Sequence, residues 1–272
     1  MGVYVGQAAL AGLPVDESKA QASLELYEQA GDLRGFARSS NSLGIWAYFA
    51  GRWDRAVEYY AMAEQASRRI GRDYDAAAQA ANRAEVLIQQ HRFDEADVVL
   101  QPAIRALLAA NATSFLAFGL GLQGRVSLAQ GDYLHAADQF GEARRLCLEM
   151  GEMGEALAIE AHAAECLLLA GEPEQALASV TASLRTATDQ LASVLPQLHR
   201  VRGRALIALG RDGEGRLALR EALASARAHD TSYEIQACLG ELLRHRVAAD
   251  EAEDAAWRDE HARLTSGLGI LE

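Results

Sequence analysis

Lysine is almost missing from this chain: Lys19 is the only one among 26 basic residues, the rest being arginine. We read that bias as a mark of high-GC coding rather than of function. Proline is scarce, with four in 272 residues, so long stretches are free of helix breakers. Cysteine is few and odd in number. Cys147, Cys166 and Cys238 form no C-x-x-C and no short pair, which argues against a disulfide framework and a zinc site and for a reducing compartment. No apolar run approaches the roughly 18 to 20 residues of a membrane span. The N-terminus shows neither the basic nor the apolar part of a signal peptide. Positive charge is also in deficit. A net charge of −12 argues against direct binding to nucleic acid or an anionic membrane, which needs dense Lys and Arg. These shortages together predict a soluble, cytoplasmic protein.

What is present is alanine. Half the residues are hydrophobic while only 6% are aromatic, a composition that suits closely packed helices. The stretch "GRWDRAVEYY", residues 51–60, raises the question of whether its aromatic residues bind a ligand or shape a turn. The same frame recurs as "HRFDEA" at His91, "GDYLHA" at Gly131, "GEPEQA" at Gly171 and "GRDGEG" at Gly210, at spacings of 40, 40, 40 and 39. A second landmark, Gly31, Gly71, Asn111 and Gly151, keeps the same 40-residue step. A third is a small residue seven before each turn: Gly44, Ala84, Gly124, Ala164 and Gly203. Three landmarks in phase identify an internal repeat. Each unit reads as two helices joined by a tight turn, in which glycine takes the left-handed conformation. Ala56, Ala96, Ala136 and Ala176 fall where the second helix crosses the first. Trp53 is therefore expected to be a corner residue rather than a ligand contact.

The small residue, the turn glycine, the aromatic two after it and the alanine five after it stand in the order of the tetratricopeptide repeat family. The chain resembles that family over roughly residues 31 to 265, with a longer unit than the family's usual one. Pro173 and Asp212 stand where the corner aromatic should be. The resemblance implies an all-α, right-handed superhelical solenoid of about six antiparallel helix pairs. Residues 1–272 are expected to form a single repeat domain: an incomplete first repeat over 1–30, regular repeats over 31–249, and a capping helix and tail over 250–272 with Trp257 as its anchor. "MGVYVGQAAL" is short for a first helix, so the chain reads as the C-terminal part of a longer polypeptide. "SLGIWAYFAGRWDRAVEYYAMAEQASRRIG", "AECLLLAGEPEQALA" and "LPQLHRVRGRALIALG" resemble the C-terminal repeat region of actinobacterial adenylate/guanylate cyclase-type proteins. Those are similar in architecture to LuxR-type ATP-binding activators.

In such folds the first helix of each pair lines a concave groove that receives a protein or peptide. The family's register puts Ile45, Glu85, Arg125, Glu165, Arg204 and Glu241 in mid-groove, with alternating charge from Glu85 onward. Two readings stay open: an ion-pair ladder between repeats, or a polar strip that recognises a peptide. Arg38, Asn41, Tyr48, Phe49, Gln89 and Arg200 are further groove candidates, with Tyr48 and Phe49 as an apolar anchor or as packing against a preceding repeat. "LHRVRGR" gathers His199, Arg200, Arg202 and Arg204, either a receiver for an acidic segment or a solvated face. His162 and Cys166, four apart, read as core residues rather than metal ligands. No phosphate-binding loop, nucleophile–base order or paired-acid motif occurs. The function expected is a non-catalytic interaction module without cofactor or metal. Its partner is a protein or peptide, or an upstream domain of the same polypeptide. The alternative is a small-molecule sensor of the LuxR-activator kind.

Overall fold

A computed structural model describes residues 17–187 and 189–271. The expected short first helix in "MGVYVGQAAL" lies outside the described residues. Thirteen α-helices follow in order: α1 (Glu17–Gln29), α2 (Leu33–Phe49), α3 (Trp53–Arg69), α4 (Asp73–Gln89), α5 (Phe93–Ala109), α6 (Thr113–Ala129), α7 (Tyr133–Met150), α8 (Met153–Leu169), α9 (Pro173–Thr186), α10 (Leu195–Ala208), α11 (Asp212–Ala228), α12 (Ser232–Arg244) and α13 (Glu251–Leu268). There is no strand among the described residues, and a 3₁₀ stretch, Asp189–Val194, precedes α10. The described residues divide into two compact units, 17–122 with 267–271 and 123–266, so that the boundary runs through α6.

Helices end where the repeat says they should. At the α2–α3 turn Arg52 N donates to Ala47 O at 2.8 Å and Gly51 N to Tyr48 O at 3.1 Å, which satisfies carbonyls that the helix leaves open. Gly51 holds φ at +70°, and the same turn returns at Arg92→Leu87, Asp132→Ser127, Glu172→Leu167 and Arg211→Leu206. Helix starts use two devices. Asp32 and Asp132 cap α2 and α7 through their side chains. At α4, α5 and α11 an arginine stands at the cap and pairs with an acid three residues on: Arg72–Asp75, Arg92–Glu95 and Arg211–Glu214. Each acid lies in the first helical turn, where a negative charge is favoured.

From α2 to α9 packing within each pair follows one rule of size, and the fifth pair departs from it by setting Gly203 against a leucine. Gly44 faces Tyr60, Gly124 faces Phe140 and Gly203 faces Leu219, and a Cβ on these glycines would lie 2.6, 2.6 and 2.8 Å from the facing side chain. In the intervening repeats the first helix carries Ala84 or Ala164, and the equivalent of the large residue shrinks to Leu100 or Val180, all four fully buried. Ala56, Ala96, Ala136 and Ala176 are also fully buried. Their equivalent in the fifth pair is Gly215, whose added Cβ would meet Gly203 O at 2.8 Å. Trp53 is buried at the head of α3 and its indole N–H donates to Tyr48 O at 3.3 Å, the corner role expected of it.

The core of residues 123–266 closes around α13. Trp257 joins Leu219, Leu223, Leu239 and Leu242 in one cluster. Arg220 lies over its ring at 5.2 Å and pairs with Glu253 through both nitrogens.

Candidate functional site

The polar positions of the first helices come together differently in the two units. In residues 123–266 they form a shielded charge network. Glu165 on α8 is bonded to Arg204 on α10, and the same guanidinium lies 3.8 Å from Glu241 on α12. The Arg204, Glu165 and Glu241 side chains are 14, 18 and 8% exposed, enough shielding to make each charge dependent on the next. Arg200, one turn before Arg204, is buried and reaches towards Glu234 at 3.9 Å. Burial alone would lower its pKa, but Glu234 and Glu165 more than offset this and hold it raised. Burial works against the Glu165 carboxylate too, and Arg200 and Arg204 overcome it, so its pKa falls.

His162 sits one turn before Glu165. Gln197 Nε2 donates to its imidazole at 2.9 Å, and the ring stacks on Phe140 with centroids 5.9 Å apart. Desolvation, helped by Arg125 and Arg200, pushes its pKa down to about 3. Cys166 Sγ donates to Tyr133 O at 3.3 Å and does not face His162 as a co-ligand. The described residues contain no group of three or more His, Cys, Asp and Glu side chains able to hold a metal.

The ladder is real from Glu165 through Arg204 to Glu241, but it stops short of Arg125. Arg125 is half-buried on α6 and forms no ion pair with Glu165 among the described residues. Glu165 is bonded to Arg204 of the following first helix instead. Within "LHRVRGR" the charges are likewise paired inside the fold, with His199 and Arg202 both directed at Glu221.

Residues 17–122 present an aromatic and amide cluster instead. Tyr48, near the end of α2, stacks on Trp53 with centroids 6.3 Å apart and meets Phe49 edge-on at 5.2 Å. Its hydroxyl accepts a hydrogen bond from Gln89 Nε2 on α4 at 2.9 Å, tying two successive first helices together. Phe49 remains 61% exposed, a conspicuous placement for an aromatic ring. Asn41 is half-buried, and its side-chain oxygen, like that of buried Gln89, has no hydrogen-bond partner. Arg38 is exposed one turn earlier, and Glu85 is half-buried one turn before Gln89. A separate cleft of about 650 Å³ opens between α3, α4 and α5, lined by Arg68, Asp73, Tyr74, Ala77, Pro102 and Ala106 among others.

Two features escaped the sequence. Glu234 as the partner of Arg200 lies 34 residues on, off the 40-residue frame that ordered the other candidates. Gln90 and His91 bind residues 268–271. The signal there was that His91 occupies a turn position filled by glycine at 51, 131, 171 and 210.

Comparison with protein families and with curated proteins finds no match for the sequence. Solved structures do match its fold. The chain superposes on the crystal structure of NprR in complex with its cognate peptide NprX with a TM-score of 0.69 at 13% identity, over 97% of this chain and 76% of that one. Rap protein complexed with competence and sporulation factor gives a TM-score of 0.62 at 10% identity, over 96 and 90% of the two chains. BtubC from P. vanneervenii gives 0.53 at 15% identity, over 81 and 93%. The fold is thus an all-α helical repeat built of antiparallel helix pairs. No helix among the described residues is long and apolar enough to cross a membrane.

Proposed function

We propose that the chain is a non-catalytic interaction module that binds a peptide along its first helices. The observation that carries this reading is the cluster on residues 17–122, where exposed Phe49 stands beside Tyr48, Asn41 and Gln89. An aromatic anchor flanked by amides suits a peptide, which offers one apolar side chain and repeating N–H and C=O groups. The fold neighbour NprR was solved with its cognate peptide and Rap protein with competence and sporulation factor, and the former supports a peptide as the class of ligand here. Arg38 and Glu85 would flank the peptide on this unit. On residues 123–266, Glu165, Arg200 and Arg204 already face partners within the fold.

Selection of peptides from a displayed random library on the immobilised chain tests the reading. It should enrich a motif with one large apolar residue, and Phe49→Ala should release the enriched peptide. A library that enriches nothing, or peptides indifferent to Phe49, would overturn it. The cleft between α3, α4 and α5 supports a second reading, a small-molecule sensor. In that case a thermal-shift screen should find ligands whose stabilisation disappears in Ala77→Phe. The resemblance to the repeat regions of cyclase-type regulators supports an output domain in the same polypeptide as the natural recipient of the signal. The upstream reading frame tests this directly: a cyclase domain favours signalling control, a DNA-binding helix-turn-helix favours transcription.

A further inference from the structure

The turn edge of residues 17–122 holds a short segment of the chain as a binding site holds a ligand. Helix α13 ends at Leu268, and Gly269, with φ at +66°, redirects the chain. Leu268 and Gly269 lie against the α2–α3 turn, and Leu271 meets the α4–α5 turn. Leu268 and Ile270 are buried, at 5 and 7% exposure, while Leu271 points outward at 56%. Leu268 Cδ2 lies within 3.5 Å of the point where a Cβ on the turn residue Gly51 would sit. The backbone is read as well. Gln90 Nε2 donates to Leu268 O at 3.3 Å, Leu271 N donates to Gln90 O at 3.1 Å, and His91 Nδ1 donates to Leu271 O at 2.8 Å. A side chain at Gly269 would put its Cβ 3.0 Å from Gln90 Nε2, so the pattern demands glycine there.

The receiving groups are preorganised. Gln90 is 1% exposed, and its amide is fixed at both ends: Oε1 accepts from Arg92 at 3.2 Å and Nε2 also donates to Asp54 at 2.9 Å. His91 adopts φ +63° where the turns at 51, 131, 171 and 210 use glycine. A left-handed backbone is unfavourable for a residue with a Cβ, and here the ring it carries is used on Leu271. In the other turns the position of Gln90 holds Ala50, Gln130, Ala170 and Leu209. One departure from those glycine turns, His91, thus joins Gln90 in holding the bound segment.

We propose that this edge is a binding site for an extended Leu-Gly-Ile-Leu segment, occupied in cis by residues 268–271, and that it accepts a partner's segment of the same pattern when its own is released. Among the described residues, two buried side chains and three hydrogen bonds hold the occupant. A covalently attached occupant competes at an effective concentration of about a millimolar, so its release governs access. The site shares no residue with the Phe49 cluster, and either proposal can fail without the other.

The test uses the whole chain carrying Leu268→Asp and Ile270→Asp, which empty the site without altering it. A fluorescein-labelled peptide of residues 265–271 is titrated against this variant and against wild type by fluorescence anisotropy. The variant should bind at least about tenfold more tightly than wild type, and adding Gln90→Ala to it should abolish the gain. A peptide with valine in place of the glycine equivalent to Gly269 should not bind. Equal binding by variant and wild type, binding that ignores Gln90, or no binding up to millimolar peptide would overturn the proposal. If the double variant loses its helical circular-dichroism signal, Ile270→Ser alone carries the same expectations.

Discussion

The rule that, from α2 to α9, sets glycine against an aromatic ring and alanine against an aliphatic side chain makes a sharp claim about single atoms. Gly124→Ala would gain about 1 kcal/mol of helix propensity, but its Cβ would meet the Phe140 ring at 2.6 Å. Overpacking of this kind costs about 1 to 3 kcal/mol, and we expect a net loss in urea denaturation. Phe140→Leu in the same chain should recover most of it, because it recreates the pairing of Ala84 with Leu100; two losses that simply add would contradict the rule. A second residue-scale prediction concerns acid. His162 has its pKa lowered to about 3 by desolvation first, then by Arg125 and Arg200. Between pH 6.5 and that value the unfolded chain binds a proton that the folded chain refuses. Stability should therefore be full above pH 6.5 and fall as pH drops, with a slope approaching about 1.4 kcal/mol per pH unit. Measured between pH 4.5 and 6.5, above the range where the depressed Glu165 carboxyl titrates, the slope should flatten in His162→Gln. An unchanged slope would show that the imidazole is hydrated.

At the scale of helices, the ladder and the crossings are separable. Arg204 neutralises carboxylates on both neighbouring first helices. Arg204→Ala would leave shielded Glu165 without its bonded partner while Glu241 keeps Arg244 at 3.0 Å, a loss of about 3 kcal/mol, and added salt should recover little of it. Arg125 has no such partner, so Arg125→Glu should cost under about 1 kcal/mol. Thermal melts of both variants in low and high salt distinguish them, and equal losses would contradict the pairing. Ala96, fully buried at a helix crossing, should not tolerate Asp, whereas exposed Ala109 should accept Ser without measurable change. These crossings were legible in the sequence because a period of 40 residues fixes which alanine meets which helix. The first turn before α10 was not. No glycine stands at the corresponding step near residue 191, and a 3₁₀ stretch fills the space up to Pro196, which sits at the start of α10. Repeat phase also placed Arg125, Glu165, Arg204 and Glu241 on one strip, but it could not say how the charges pair. That depends on side-chain reach, through which Arg204 takes both acids.

Across the molecule, the sequence made the helix pairs, their turns and the first-helix face readable, because each is repeated and each repeat corroborates the others. What occurs once was hidden. The hydrogen bond from Gln89 to Tyr48, the Arg200–Glu234 approach and the seat of residues 268–271 each join positions outside the repeat's phase. A function carried by the first helices makes a claim about which side of the helix pairs matters. Titration calorimetry with one library-selected peptide tests it most directly, using wild type, Phe49→Ala on α2 and Val98→Ala on the second helix α5, where Val98 is 76% exposed. Both substituted side chains are largely solvent-exposed, so neither variant should melt differently from wild type. We expect at least about a tenfold weaker Kd, or 1.4 kcal/mol, for Phe49→Ala and no change for Val98→Ala. The opposite pattern, or equal affinity for all three proteins, would contradict the account.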